Sequence, residues 1–150
     1  MQFHAKDVSD VLANKTFIDT VIVPVISIDF SETTMIQSSS AADYITNLTN
    51  FIEHQFRGRI LLLPPMTYVS GIDQTAQLAQ MQEKIIAAGF KHVFFMTSEH
   101  EIHKLNEQFA VIWLPAIPLE SMDNNMKQKI LEDQLAKVIP LFTDKWANQN

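Results

Sequence analysis

The sequence has no cysteine in its 150 residues, which excludes disulfides, thiolate metal centres and cysteine nucleophiles together. Glycine is nearly as scarce. Average usage of about 7% would give roughly ten in a chain of this length, yet there are three, Gly58, Gly71 and Gly89. Phosphate cradles need backbone amides to approach their ligand closely, so they are built from glycine. Neither G-x-G-x-x-G nor G-x-x-x-x-G-K-[ST] is present, and a standard dinucleotide or P-loop site is excluded. Positive charge is also thin: eleven Lys and Arg against seventeen Asp and Glu leave a net charge of −6. Arg57 with Arg59, and Lys127 with Lys129, are the close basic pairs. Without a basic stripe to displace counterions, neither nucleic acid nor an anionic membrane surface is expected as a partner. No apolar run reaches the ~18–20 residues that span a bilayer. The first seven residues, MQFHAKD, lack the basic-then-apolar order of a signal peptide. The expectation is a cytoplasmic protein without membrane insertion.

What is present is the composition of one globular domain. Hydrophobic residues make up 47% and charged residues 19%, and 150 residues suit a single core. Helical spacing of apolar residues predicts a short helix over 7–15 and a long one over 38–57, where Ala41, Tyr44, Ile45, Leu48 and Ile52 recur at steps of three and four. Asp43, Asn47, Asn50 and Glu53 fill its polar side, Ser38 to Ser40 offer N-caps, and Gly58 stands where a left-handed cap belongs. Further helices are expected over 73–88, ended by Gly89, over 98–109 with Ser98 as N-cap, and from 121–124 onward. Continuous apolar runs at 20–23, 60–63, 93–96 and 110–114 read as strands covered on both faces. After Pro24 the alternation of Ile26, Ile28 and Phe30 with Ser27, Asp29 and Ser31 reads as a half-exposed extended segment.

Strands alternating with helices predict an α/β fold: a single-domain three-layer sandwich over 1–150, flavodoxin- or Rossmann-like, with a mostly parallel sheet of about four strands in the order 2-1-3-4. Three strands run into proline, at 21–24, 61–64 and 112–115. Proline ends strands because it cannot continue a ladder; the alternative is a stiff rim around a pocket. The strand before Pro24 is therefore expected to stop, bend or reach an edge. Pro140 is expected to kink or break the last helix. Leu141, Phe142 and Trp146 beyond it call for burial, either on this chain's own sheet or against a second copy.

Open α/β sheets bind ligands beyond the carboxyl ends of their strands, where strand order reverses. That crevice lies between the first and third strands. Ser27 and Asp29 line one side, Thr97, Ser98, Glu99 and His100 the other, with Tyr68 and Glu120 approaching from neighbouring loops. Glu99, His100 and His103 have the chemistry of a metal set, but no fourth ligand and no H-E-x-x-H accompany them, so an exposed polar helix accounts for them and no metal or cofactor is expected. Asp29 lacks a following D-x-D, and neither Ser27 nor Ser98 sits in a G-x-S-x-G elbow.

The segments 17–20 running into Val23-Pro24, 55–59 with 61–64, and 113–115 with 118–122 are similar to the YpiF-like family of uncharacterised Bacillales proteins. The likeness covers nearly the whole chain and carries over no catalytic residue. Members of that family are encoded near genes for the menaquinol–cytochrome c reductase. The resemblance thus implies a non-catalytic binding or accessory protein linked to assembly of that respiratory complex, with a protein partner or a homodimer. The alternative is a small-molecule-binding domain, or a hydrolase built on Asp29, Glu99 and His100, using the crevice.

Overall fold

The computed structural model describes residues 1–148. Five strands, β1 (Thr20–Ile28), β2 (Ile60–Leu62), β3 (Met66–Val69), β4 (His92–Thr97) and β5 (Val111–Trp113), alternate with five helices, α1 (Ala5–Ala13), α2 (Met35–Gln55), α3 (Thr75–Ala87), α4 (His100–His103) and α5 (Asn124–Ala147), except that β3 follows β2 directly. All strand pairs are parallel, in the order β2-β1-β4-β5, and β3 also pairs with β1. The expected order of the four apolar strands is the observed one. β3 was not anticipated, because Met66-Thr67-Tyr68-Val69 follows two prolines and lacks a continuous apolar run.

Pro24 neither ends nor bends the strand out of the sheet. It lies in the middle of β1, the central strand, opposite Met96. The ladder explains why it is tolerated. Ile22 and Ile28 turn their carbonyls toward the β2 and β3 side, accepting from Leu63 and Ser70. Pro24 shares their parity, so its nitrogen faces that side too. There β2 has ended at Leu62 and β3 has not begun, with Pro64 and Pro65 between them. Three prolines thus meet where no ladder bond is due. Pro64 does terminate β2, and Pro115 follows β5 closely. They form no common rim: Pro24, Pro64 and Pro65 share a cavity of 370 Å³ that Pro115 does not reach.

Each sheet face is covered. Ile22, Ile26, Phe94 and Met96 pack against Tyr44, Leu48 and Ile52 of α2 and Val138 and Phe142 of α5. Val21, Val23, Val25 and Phe95 pack against Val11 of α1, Leu78 and Ile85 of α3 and Ile102 of α4. The result is a three-layer α/β sandwich.

Several local expectations are corrected. α2 begins a turn earlier than predicted, after Thr34, so Ser38 is not a cap. Gly58 does not adopt positive φ, and Phe56 closes α2; Gly89, at φ 104°, does end α3 in the left-handed region. The helix expected over 98–109 shrinks to α4, whose N-cap is Glu99 rather than Ser98. α5 runs through Pro140 without a break. Glu53 is not on a polar face but fully buried, ion-paired with the Met1 ammonium at 2.8 Å and with Arg57 at 3.5 Å.

Candidate functional site

Because every strand is parallel, all carboxyl ends meet at one edge of the sheet. β1 is where the order reverses, since β2 and β4 lie on its opposite sides. Just beyond β1 and β4 lies an open groove of 320 Å³ lined by Ser27, Asp29, Ser98 and Glu99, four of the residues expected there. Thr34, Gln37, Ser38, Ala41, Ser70 and Ala116 complete it. Cavities of 340–410 Å³ elsewhere show that size does not single it out; its place in the fold does.

The end of β1 is pinned. Ser38, one turn inside α2, donates its hydroxyl to the Ser27 carbonyl at 3.1 Å and accepts the Asp29 N–H at 3.0 Å. Asp29 in turn accepts the Ser31 N–H at 2.9 Å. That bond holds the Asp29 carboxyl below its ordinary range. Across the groove, Thr97 is fully buried and accepts the Glu99 N–H at 2.9 Å, which sets the turn out of β4. The Ser98 hydroxyl is buried without a partner.

Glu99 shows the opposite effect from Asp29. Burial, helped by the nearby Glu101 charge, pushes its carboxyl above the ordinary value of 4.5. The folded chain therefore keeps this proton after the unfolded chain has released it, and stability falls as pH climbs through the window above 4.5. Glu99→Gln is expected to be more stable than the parent at pH 7, with the advantage gone by about pH 4. Urea midpoints at the two pH values measure this; a variant equally stable at both contradicts the assignment.

The other expected residues lie apart. Tyr68 does not approach on a loop: it sits in β3, opposite Ser27 in the ladder and 7% exposed, and donates its hydroxyl to Glu101 at 2.7 Å. Burial and that carboxylate raise its pKa. Tyr68→Phe is expected to cost about 1 kcal/mol in chemical denaturation, the net worth of one such bond; no change would mean that Glu101 is as well hydrated without it. Glu120 accepts from Ser40 at 3.0 Å and does not line the groove. His100 packs edge-on to Trp113 with centroids 5.8 Å apart, and His103 stacks on the same indole at 5.2 Å. Among the described residues no group of three or more His, Asp or Glu is placed to hold a metal ion. The histidine pair instead covers Trp113, a contact that the i, i+3 spacing alone did not reveal.

Ser38, Ser70 and Ala116 reach the groove from elements far apart in sequence, and no local motif marks them.

A family model described as "Protein of unknown function (DUF2487)" matches residues 9–146. The uncharacterized protein YpiF of Bacillus subtilis (strain 168) is 29% identical over 148 residues, covering 98% of this chain and 99% of that protein. No solved structure matches.

Proposed function

Because the chain belongs to the DUF2487 family of proteins of unknown function, which supplies no activity to inherit, we propose from the geometry that it is a non-catalytic binding protein that docks a protein partner on the carboxyl edge of its sheet. The observation that carries this reading is the exposed apolar surface there. Phe30 on the loop into α2, Met35 and Ile36 in the first turn of that helix, and Val69 and Ile72 at the end of β3, are 44–78% exposed. Single exposed apolar residues need no explanation, whereas several at one edge mark an interaction surface.

The presenting loop is ordered before any partner arrives. Thr34 and Met35 both donate their N–H groups to the Ser31 carbonyl, and Asp29 and Ser38 anchor its base. A preordered loop loses little conformational entropy on binding. No helix among the described residues is long and apolar enough to cross a membrane. The tie to menaquinol–cytochrome c reductase assembly comes from the family resemblance; the geometry adds the surface that an accessory role requires.

The test is a photo-crosslinking amino acid placed at Ile36, with Leu12 on α1 as the distant control. Adducts to a discrete protein in host cells are expected from Ile36 and not from Leu12. Equal adducts from both, or none from either, contradict the reading.

One observation favours a second reading, small-molecule binding or hydrolysis in the groove. Asp29 and Glu99 are displaced in opposite directions, the arrangement that separates a base from an acid. Under this reading, ligand-observed NMR with small polar fragments gives contacts that Ser98→Trp removes by filling the groove. Contacts that survive Ser98→Trp count against it.

A further inference from the structure

Charge is divided between the two edges of the sheet. The four loops that leave the carboxyl ends, 29–34, 70–74, 98–99 and 114–123, carry Asp29, Glu32, Asp73, Glu99, Glu120 and Asp123 and no Lys or Arg. Lys127 follows, in the first turn of α5. The loops at the opposite edge, 14–19, 56–59, 88–91 and 104–110, carry Lys15, Arg57, Arg59, Lys91 and Lys104 against Asp19 and Glu107. A net charge of −6 is therefore not spread evenly. Its negative end coincides with Phe30, Met35 and Ile36, the exposed apolar side chains on which the docking reading rests.

We infer that the partner of this edge is a cationic, amphipathic polypeptide segment, whose Lys or Arg side chains face the loop carboxylates while its apolar side chains seat on Phe30, Met35 and Ile36. The inference rests on the docking reading above and adds the chemistry of the occupant. Complementary charge speeds encounter and rejects acidic competitors, while the apolar contacts hold the complex. Nucleic acid and anionic lipid are repelled by the same field. A small free amine would match the carboxylates but leave the apolar side chains without a role.

A second copy is the weaker candidate. Its basic edge would have to meet this acidic edge head to tail, a heterologous contact that builds rings or filaments rather than the common two-fold dimer. Three of its five cations are also engaged within their own fold. Arg59 binds Asp19 at 3.1 Å and lies 3.9 Å over the Trp146 ring. Arg57 pairs with Glu53, and Lys15 donates to the Ala88 carbonyl and sits over Phe90.

The experiment uses the full chain and two labelled peptides, one of Lys and Leu at helical spacing and one with Glu replacing every Lys. Fluorescence anisotropy is expected to show binding of the Lys peptide alone. That binding weakens roughly tenfold when salt rises to about 0.5 M, as screened charge requires. Glu32→Lys combined with Glu120→Lys weakens it by a similar factor, and Phe30→Ser with Ile36→Ser removes it without changing the melting temperature. Equal binding of both peptides, lost in the Phe30/Ile36 variant, overturns the cationic partner and leaves the docking surface standing. No binding of either peptide together with adducts at Ile36 has the same meaning; no binding and no adducts overturns both. Sedimentation showing dimers that Ile36→Ser dissolves makes the occupant a second copy and overturns the inference.

Discussion

A chain ended after Ile139 is expected to lose roughly 5 kcal/mol or more, a large share of the 5–15 kcal/mol that holds a domain folded. The reason is the packing beyond Pro140. Phe142 is fully buried, edge-on to Phe94 at 4.9 Å and to Phe56 at 5.8 Å. Trp146 stacks on Phe142 at 5.5 Å, donates its indole N–H to Thr20 at 2.9 Å and lies under Arg59. Truncating a core Phe to Ala alone costs about 3–5 kcal/mol, and the truncated chain also loses the Trp146 contacts. At 2–4 °C per kcal/mol for a domain of this size, the melting temperature falls by roughly 10–20 °C. Phe142→Ala in the full chain is expected to reproduce more than half of the effect. Because these contacts are within the chain, the melting temperature of the parent is expected not to depend on protein concentration. An unchanged melting temperature in the truncated chain contradicts the packing; a concentration-dependent one in the parent places it between copies.

The second large effect is expected from Glu53→Ala, at about 3 kcal/mol or more. Glu53 is fully buried near the end of α2, and its carboxylate faces the Met1 ammonium, Arg57 and, at 3.6 Å, His54. Removing it leaves a cavity and an ammonium, 23% exposed, with its charge unanswered. That ammonium also donates to the Ile60 carbonyl at 2.9 Å, so the pair joins α2 to the edge strand β2. His54→Ala is the control: the side chain is 69% exposed and is expected to change stability by less than about 0.5 kcal/mol. Urea denaturation of the three proteins gives the comparison. A Glu53→Ala midpoint equal to that of His54→Ala contradicts the assigned role.

Both effects bear on how much of the molecule was legible beforehand. Glu53 reads as solvent-facing in a helical projection, because the projection knows nothing of what else approaches; burial came from the N-terminal segment lying against α2. Pro140 reads as a breaker because it removes a donor and crowds the preceding turn, yet burial of Phe142 and Trp146 on the sheet outweighs that local cost. Ser38 reads as a cap, and the structure uses it to tie β1 to α2. In each case a local preference yielded to a contact made outside the helix itself.

The sequence by itself determined the α/β class and the parallel sheet; the order of the four apolar strands agrees with the one expected, but it took the structure to settle it. Class and sheet follow from the hydrophobic period and the rules for right-handed crossovers, which need no knowledge of partners. It also placed Ser27, Asp29, Ser98 and Glu99 at a common edge, since residues that follow parallel strands must meet there. Tertiary structure alone decided that Pro24 could sit mid-strand, because that depends on where β2 ends and β3 begins alongside it. It alone placed Tyr68 in the sheet, turned His100 and His103 onto Trp113, and gathered Ser38, Ser70 and Ala116 around the groove. It also left Phe30, Met35 and Ile36 uncovered: an apolar residue in sequence asks to be buried, and which ones the fold leaves in water is settled when every layer has been packed.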